Sequence, residues 1–227
     1  ELQNRDLILN LINQNFSKCS LCHKTTAPME GNSGPNDLIL CVLFGKKINN
    51  ILTFARSLRS SGSKCTLIVF ATSNWIKNCP NKYIEEFQNC GGGFINIGPE
   101  FPKYPHNPAF LRFYLYTLFL NSYQSLFRRV IICDIFDTFF QYDPFNSNFP
   151  ENYIYSTVEN MNLSGTWNGK WVKEIDPHYK PEIYKDQPVL CSGLIYGGIN
   201  PMNRLMANFF NQDVLGYVEH LWHDQSL

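Results

Sequence analysis

Two aspartates three residues apart, Asp134 and Asp137, close an apolar run in the segment RRVIICDIFDTFFQYDPF. RVIIC reads as a strand covered on both faces, and ligands of α/β sheets bind beyond the carboxyl ends of strands, where Asp134 falls. Side chains alternate faces along a strand. Asp137 can therefore join Asp134 only if the chain turns after Cys133, and the motif predicts a strand that ends in a corner. Two carboxylates held together in a partly dry crevice repel each other, and a hard divalent cation with oxygen ligands relieves that repulsion. A site with one or two carboxylates and open positions also accepts diphosphate oxygens. The structural alternative for any such pair is a turn former or helix cap, and Asp143 before Pro144 reads as one.

Sulfur offers a second set of reactive groups. The eight cysteines are an even number and many for a cytosolic enzyme, and NFS at Asn15 and NLS at Asn162 match the glycosylation acceptor pattern. Both features favour the lumen of the secretory pathway, Golgi or ER, over the cytoplasm. CSLCH, from Cys19 to His23, has the spacing of a haem attachment or half a zinc site. No second CxxC accompanies it, so a local disulfide or two free thiols is expected. Cys79 and Cys90 bracket a short helical segment and are the expected disulfide, whereas Cys41, Cys133 and Cys191 lie in apolar runs as small core residues.

The chain that must position these groups has 227 residues, with 44% hydrophobic and 15% aromatic residues, enough for one sizeable domain. Lys+Arg and Asp+Glu both number 19, so no net field draws it to nucleic acid or to an anionic membrane, and a polyanion must be bound locally. No window reaches the apolar length of a membrane span, and Glu1 begins no signal-peptide pattern. The chain reads as a soluble piece of a longer protein, which residues outside it could tether to a membrane.

Residues 1–36 read as a helical lead-in, with Leu7, Ile8, Leu11 and Ile12 at helical spacing, followed by a Gly- and Pro-rich linker. DLILCVLFG then reads as a buried strand, NNILTFARSLRSSG as a helix with a glycine stop, and CTLIVFATS as a second strand. That is a βαβ unit. A helix near Tyr83 to Gln88, a short GFINI strand and the buried helix AFLRFYLYTLFLNSY lead into RVIIC. The alternation predicts an α/β fold with a Rossmann-type, mostly parallel central sheet flanked by helices.

VIICDIFDTFFQYDPF resembles the signature of nucleotide-sugar glycosyltransferases of the GT-A fold, in which a hydrophobic strand runs into an Asp-x-Asp or Asp-x-x-Asp motif. FLRFYLYTLFL is similar to that family's helix bearing a basic residue, LCSGLIYGG to its Ser-Gly loop, and WHDQSL to its Trp-x-Asp-Gln segment. The resemblance implies a GT-A-like domain over residues 37–227, truncated at its C-terminus. It implies an enzyme that moves a hexose or pentose from a nucleotide-sugar donor, a UDP-sugar first, to a glycan or glycoprotein hydroxyl, with Mn²⁺ or Mg²⁺ as cofactor. Asp134 and Asp137 would hold the metal, with Asp137 the direct ligand. Arg112, Asp134, Ser192 and Gly193 would meet the donor, and Gly197 and Gly198 would allow close backbone approach. Asp224 and Gln225 would stand near the reactive carbon, and Trp167, Trp171, Tyr179 and Tyr184 suit stacking on sugar rings. The chain departs from the family at Ile135 and Phe136, where a basic residue is common, and at Cys191, where asparagine is usual. His220 or His223 would have to stand in for a late metal-binding histidine.

Two other readings share these residues. CDIFDT resembles the start of haloacid-dehalogenase-like phosphohydrolases, with Asp134 as nucleophile and Thr138 following, although FFQYDPF continues it poorly. The other is a non-catalytic glycan-binding relative of the glycosyltransferases.

Overall fold

Apolar runs and amphipathic runs alternate in this chain, and they form strands and helices in that order. The computed structural model describes residues 5–23, 31–43, 49–100, 108–162, 178, 180, 182 and 186–208. The elements are α1 (Arg5–Ile12), β1 (Asp37–Val42), α2 (Asn49–Ser60), β2 (Thr66–Ala71), α3 (Ser73–Asn78), α4 (Asn81–Asn89), β3 (Gly92–Asn96), α5 (Pro108–Tyr123), β4 (Arg129–Cys133), β5 (Ile154–Asn162), β6 (Pro188–Gly198) and α6 (Ile199–Asn208). They build the expected α/β fold around a six-stranded sheet of order β3-β2-β1-β4-β6-β5. The pairs β1–β2, β2–β3 and β1–β4 are parallel, while β6 is antiparallel to both β4 and β5. Among the described strands only β6 therefore runs against the rest.

Every residue of β1, β2 and β4 is buried, as a sheet covered on both faces requires. Alternation divides them between two cores. Leu38, Leu40, Val130 and Ile132 face α1, α5 and α6, with Ile8, Phe113, Phe119 and Met202 among the helix residues that meet them. Ile39, Cys41, Ile131 and Cys133 face the other way, toward Phe54 of α2 and Phe87 of α4. α2 and α4 cover this second face over β1, β2 and β3, and no described helix packs on it over β4 and β6. The aromatic segment after β4 covers the sheet instead: Phe140, Phe145 and Phe149 are buried, and Phe140 meets Phe54 edge to face with ring centroids 5.0 Å apart.

The predicted corner is present, because β4 ends at Cys133 and residues 135–137 form a turn. One expectation is corrected. LCSGLIYGG is no loop; it is the body of strand β6. Its two terminal glycines serve strand crossing, since a side chain at Gly197 would collide with the Tyr153 carbonyl and one at Gly198 with the Glu151 carbonyl.

A buried charge network ties the beginnings of β1 and β4. Asp37 is fully buried and accepts hydrogen bonds from Arg129 Nε (2.7 Å) and Nη2 (2.7 Å), from Arg128 Nε (3.0 Å) and from the Gly34 amide (2.7 Å). Arg129 is equally enclosed and also binds Asn32 and the Asn146 carbonyl. Burial alone would raise the Asp37 carboxyl, but the hydrogen bonds from Arg129, Arg128 and Gly34 outweigh it and hold the group below its ordinary value.

The disulfide is also corrected: it joins Cys19 to Cys90, not Cys79 to Cys90. Cys79 and Cys90 sit at opposite ends of α4, which keeps them about 16 Å apart at 1.5 Å per residue, beyond the roughly 7 Å reach of a disulfide. The bridge instead closes the chain after α1 onto the end of α4, and Cys79 remains a free thiol.

Two outcomes follow for stability. Replacing Cys19 and Cys90 by alanine should cost about 2–4 kcal/mol, read from denaturation of the variant against the oxidised protein, and reductant should give wild type the same loss. Asp37→Asn should cost about 3–5 kcal/mol at neutral pH. A carboxyl depressed in the folded state contributes stability above its unfolded pKa, near 4, and loses it as the pH falls through the folded value. The deficit of Asp37→Asn should thus shrink on acidification below about pH 4, as urea melts at pH 7 and pH 3 would record.

Candidate functional site

β2 and β3 lie on one side of β1 and β4 on the other, so the strand order reverses between β1 and β4. Crevices at such reversals, beyond the carboxyl ends of the strands, are where open α/β sheets take ligands. Asp134 stands directly past the end of β4. Its amide donates to the Gly193 carbonyl at 2.9 Å, which extends the β4–β6 ladder by one step and fixes its backbone.

Arg112 comes to the same point from α5. From Arg112 to Tyr123 the helix rises about 16 Å, and the strand from Arg129 to Asp134 covers about the same distance, so the start of α5 lies over the end of β4. The Arg112 side chain is buried, at 7% exposure, whereas that of Asp134 is 47% exposed. Arg112 Nη1 donates to Asp134 Oδ1 at 2.7 Å and Nη2 to Ser192 Oγ at 2.9 Å. One guanidinium thus joins α5, β4 and β6.

Gly193 leaves the room that the Asp134 carboxylate occupies. A Cβ there would stand 2.5 Å from Asp134 Oδ2, where no real Cβ fits, and 3.5 Å from Cys191 Sγ. The four residues expected to meet the donor, Arg112, Asp134, Ser192 and Gly193, therefore converge. Below them, Cys41 and Cys133 lie with sulfurs 3.7 Å apart on neighbouring strands. Burial, and then the Cys133 thiol beside it, holds Cys41 well above the ordinary thiol range, so it is a packing group as expected. Tyr116, one turn beyond Arg112, is likewise kept neutral by burial.

Asp137 is exposed and lines a separate hollow of about 200 Å³ with Thr53, Phe136, Thr138 and Phe139. Among the described residues it makes no ion pair, while Asp134 is already matched by Arg112. Also among the described residues, no three His, Cys, Asp or Glu side chains gather as a metal-binding group. Asp134 meets Arg112 of α5 while Asp137 lies beside Thr53 of α2, so the two acids face different sides of the sheet, and a cation at Asp137 would keep water or phosphate oxygens in most of its shell. The two acids do not make an all-protein cage.

Asp143 does what the Asp-Pro sequence suggested. Its Oδ1 accepts from the Phe145 amide at 3.1 Å, closing a turn, and its Oδ2 accepts from Ser33 Oγ at 2.6 Å. Asp224, Gln225, His220, His223, Trp167, Trp171, Tyr179 and Tyr184 lie outside the described residues. Sequence reasoning missed Thr53, which comes from α2 and has no motif around it. It also did not foresee that Arg112 would face inward to hold Asp134. The signal for that was present: one arginine in an otherwise apolar helix must find a partner or reach water.

No protein-family model matches the chain, and none of the curated proteins matches it. The geometry of these residues is therefore what bears on function.

Gly193→Ala should displace the Asp134 carboxylate from Arg112 while the fold survives, because the obstructed atom belongs to a half-exposed side chain. The expected cost is about 1–3 kcal/mol in a thermal or urea melt. A crystal structure of the variant should show the Arg112–Asp134 contact broken.

Proposed function

We propose that this protein is a metal-dependent glycosyltransferase that moves a sugar from a nucleotide-sugar donor, a UDP-sugar first, to a hydroxyl of a glycan or glycoprotein. The observation that carries the reading is the meeting of Arg112, Asp134, Ser192 and Gly193 past the end of β4, beside the reversal of strand order. It supports binding of a polar, anionic ligand in a protein of zero formal net charge.

Asp137 would hold Mn²⁺ or Mg²⁺ as its direct ligand, and Asp134, across the turn, would meet the donor. Bound at Asp137, the cation supplies Lewis-acid stabilisation of the negative charge on the departing diphosphate. The chain's own residues do the placing. Arg112 fixes the rotamer of Asp134 and lowers the repulsion that this carboxylate would present to a diphosphate. Ser192 Oγ lies beside Asp134 and suits a sugar hydroxyl. Asp224 and Gln225, by resemblance, would steady the positive charge that develops at the anomeric carbon. In the transfer, the acceptor oxygen bonds to that carbon and passes its proton to the departing diphosphate or to water. The carbon–oxygen bond to the β-phosphate breaks, and the nucleoside diphosphate leaves with the electron pair.

The Cys19–Cys90 disulfide and the exposure of Asn15 and Asn162 support a place in the secretory lumen. The phosphohydrolase reading fares worse. It needs Asp134 as an attacking carboxylate, yet Arg112 pairs with one of its oxygens on the α5 side of the sheet.

A screen of nucleotide sugars should find Mn²⁺-dependent hydrolysis or transfer, and Asp137→Ala should reduce it by about a hundredfold or more. Unaltered activity in that variant would refute the assignment.

A further inference from the structure

On the second face of the sheet, a cleft of about 490 Å³ opens between the segment after β4 and strands β6 and β5. That volume lies within the roughly 300–1,000 Å³ of small-molecule pockets. Its floor is apolar, with Ile131 of β4 and Leu194 of β6. One wall is a cross-strand pair, Tyr155 and Tyr196, with rings near parallel at 20° and centroids 5.7 Å apart. Tyr196 is backed by Phe149, at 5.6 Å, so the platform is braced from behind, while Tyr155 is 48% exposed and offers a ring face to a ligand.

The opposite wall carries Thr138, Asn146 and Asn148. Asn146 Oδ1 is used, since it accepts from the Asn148 amide at 2.9 Å and fixes that turn. Among the described residues the Asn148 side chain makes no hydrogen bond, so its carboxamide offers both a donor and an acceptor to the cleft. Among the described residues no charged side chain lines the cleft. A phosphate-bearing ligand would find no counter-charge there, and a purely apolar one would leave these amides and the threonine hydroxyl unmatched. A neutral molecule with one flat apolar face and a rim of hydroxyls satisfies both walls, and a pyranose ring has that surface.

The cleft also adjoins the site already described, because Thr138 and Phe139 line both it and the hollow of Asp137. We propose that this cleft is the acceptor subsite: a neutral sugar residue of the acceptor glycan stacks on Tyr155 and is held by Thr138, Asn146 and Asn148, within reach of the Asp137 corner. The acceptor role rests on the glycosyltransferase reading; the carbohydrate specificity rests on the cleft alone.

The test uses the whole chain on an array of neutral and sialylated oligosaccharides, with the strongest neutral binder then titrated by calorimetry. UDP with Mn²⁺ is titrated in parallel. Neutral glycans should bind, and Tyr155→Ala and Asn148→Asp should each weaken that binding by about tenfold or more. UDP binding should stay unchanged in both variants. Asn148 is exposed, so its replacement leaves the core intact should Tyr155→Ala fold poorly. Absence of any neutral glycan ligand, preference for sialylated glycans, or full affinity in Asn148→Asp would overturn the subsite. Loss of glycan binding in the variants while wild type fails to bind UDP would support the cleft and overturn the donor reading.

Discussion

A guanidinium enclosed by an apolar helix and a sheet cannot remain without counter-charge, and much of the local architecture answers to that constraint. Arg112 is the buried charge. Asp134 and Ser192 are where it is discharged, and the two belong to different strands from each other and from the helix that carries the arginine. The pairing draws α5, β4 and β6 to one point. It also commits Asp134 to the α5 face of the sheet and leaves Asp137, past the turn, on the side of α2. The two carboxylates thereby acquire different characters. One is neutralised and oriented, the other exposed and open to a cation.

The aromatic residues after the aspartates have a separate physical origin. A sheet buried on both faces needs cover, and beyond α2 the second face receives it from an irregular segment, not from a helix. Helices cover by repeating an apolar stripe; a segment without regular hydrogen bonding must do so with a few large side chains. Phe140, Phe145 and Phe149 serve in that way. Irregular cover is also uneven cover, and the space left between this segment and the Tyr155–Tyr196 pair is the cleft. Packing and binding surface share one cause.

Stability and chemistry occupy opposite ends of β1 and β4. Asp37, Arg128 and Arg129 lock the starts of these strands, and the disulfide closes the chain after α1 onto α4. At the other end stand Asp134 and the groups gathered around it. Between the two ends lie only apolar residues and the inert thiols of Cys41 and Cys133. A site that keeps carboxylates partly desolvated is costly to hold, and a rigid sheet anchored at its far end meets that cost without using the site's own residues.

Much of this was legible from residue types in order. Short continuous apolar runs such as DLILC and RVIIC read as strands covered on both faces, because they are too short for a helix and leaving them exposed to water is costly. The turn after Cys133 followed from the mismatch between a three-residue spacing and a two-residue strand period. What the linear order could not decide were relations between distant segments. LCSGLIYGG carries glycines that suggest a loop, yet they are needed inside a strand where another backbone crosses closely. Cys79 is the cysteine nearest to Cys90 in sequence, but the fold brings Cys19 beside Cys90 and the rigid length of α4 keeps Cys79 away. Local sequence determined which elements form, since periodicity is a property of neighbours. Tertiary structure alone decided which acid met the buried arginine and where the aromatic cover fell short, because both depend on how the elements close against one another in space.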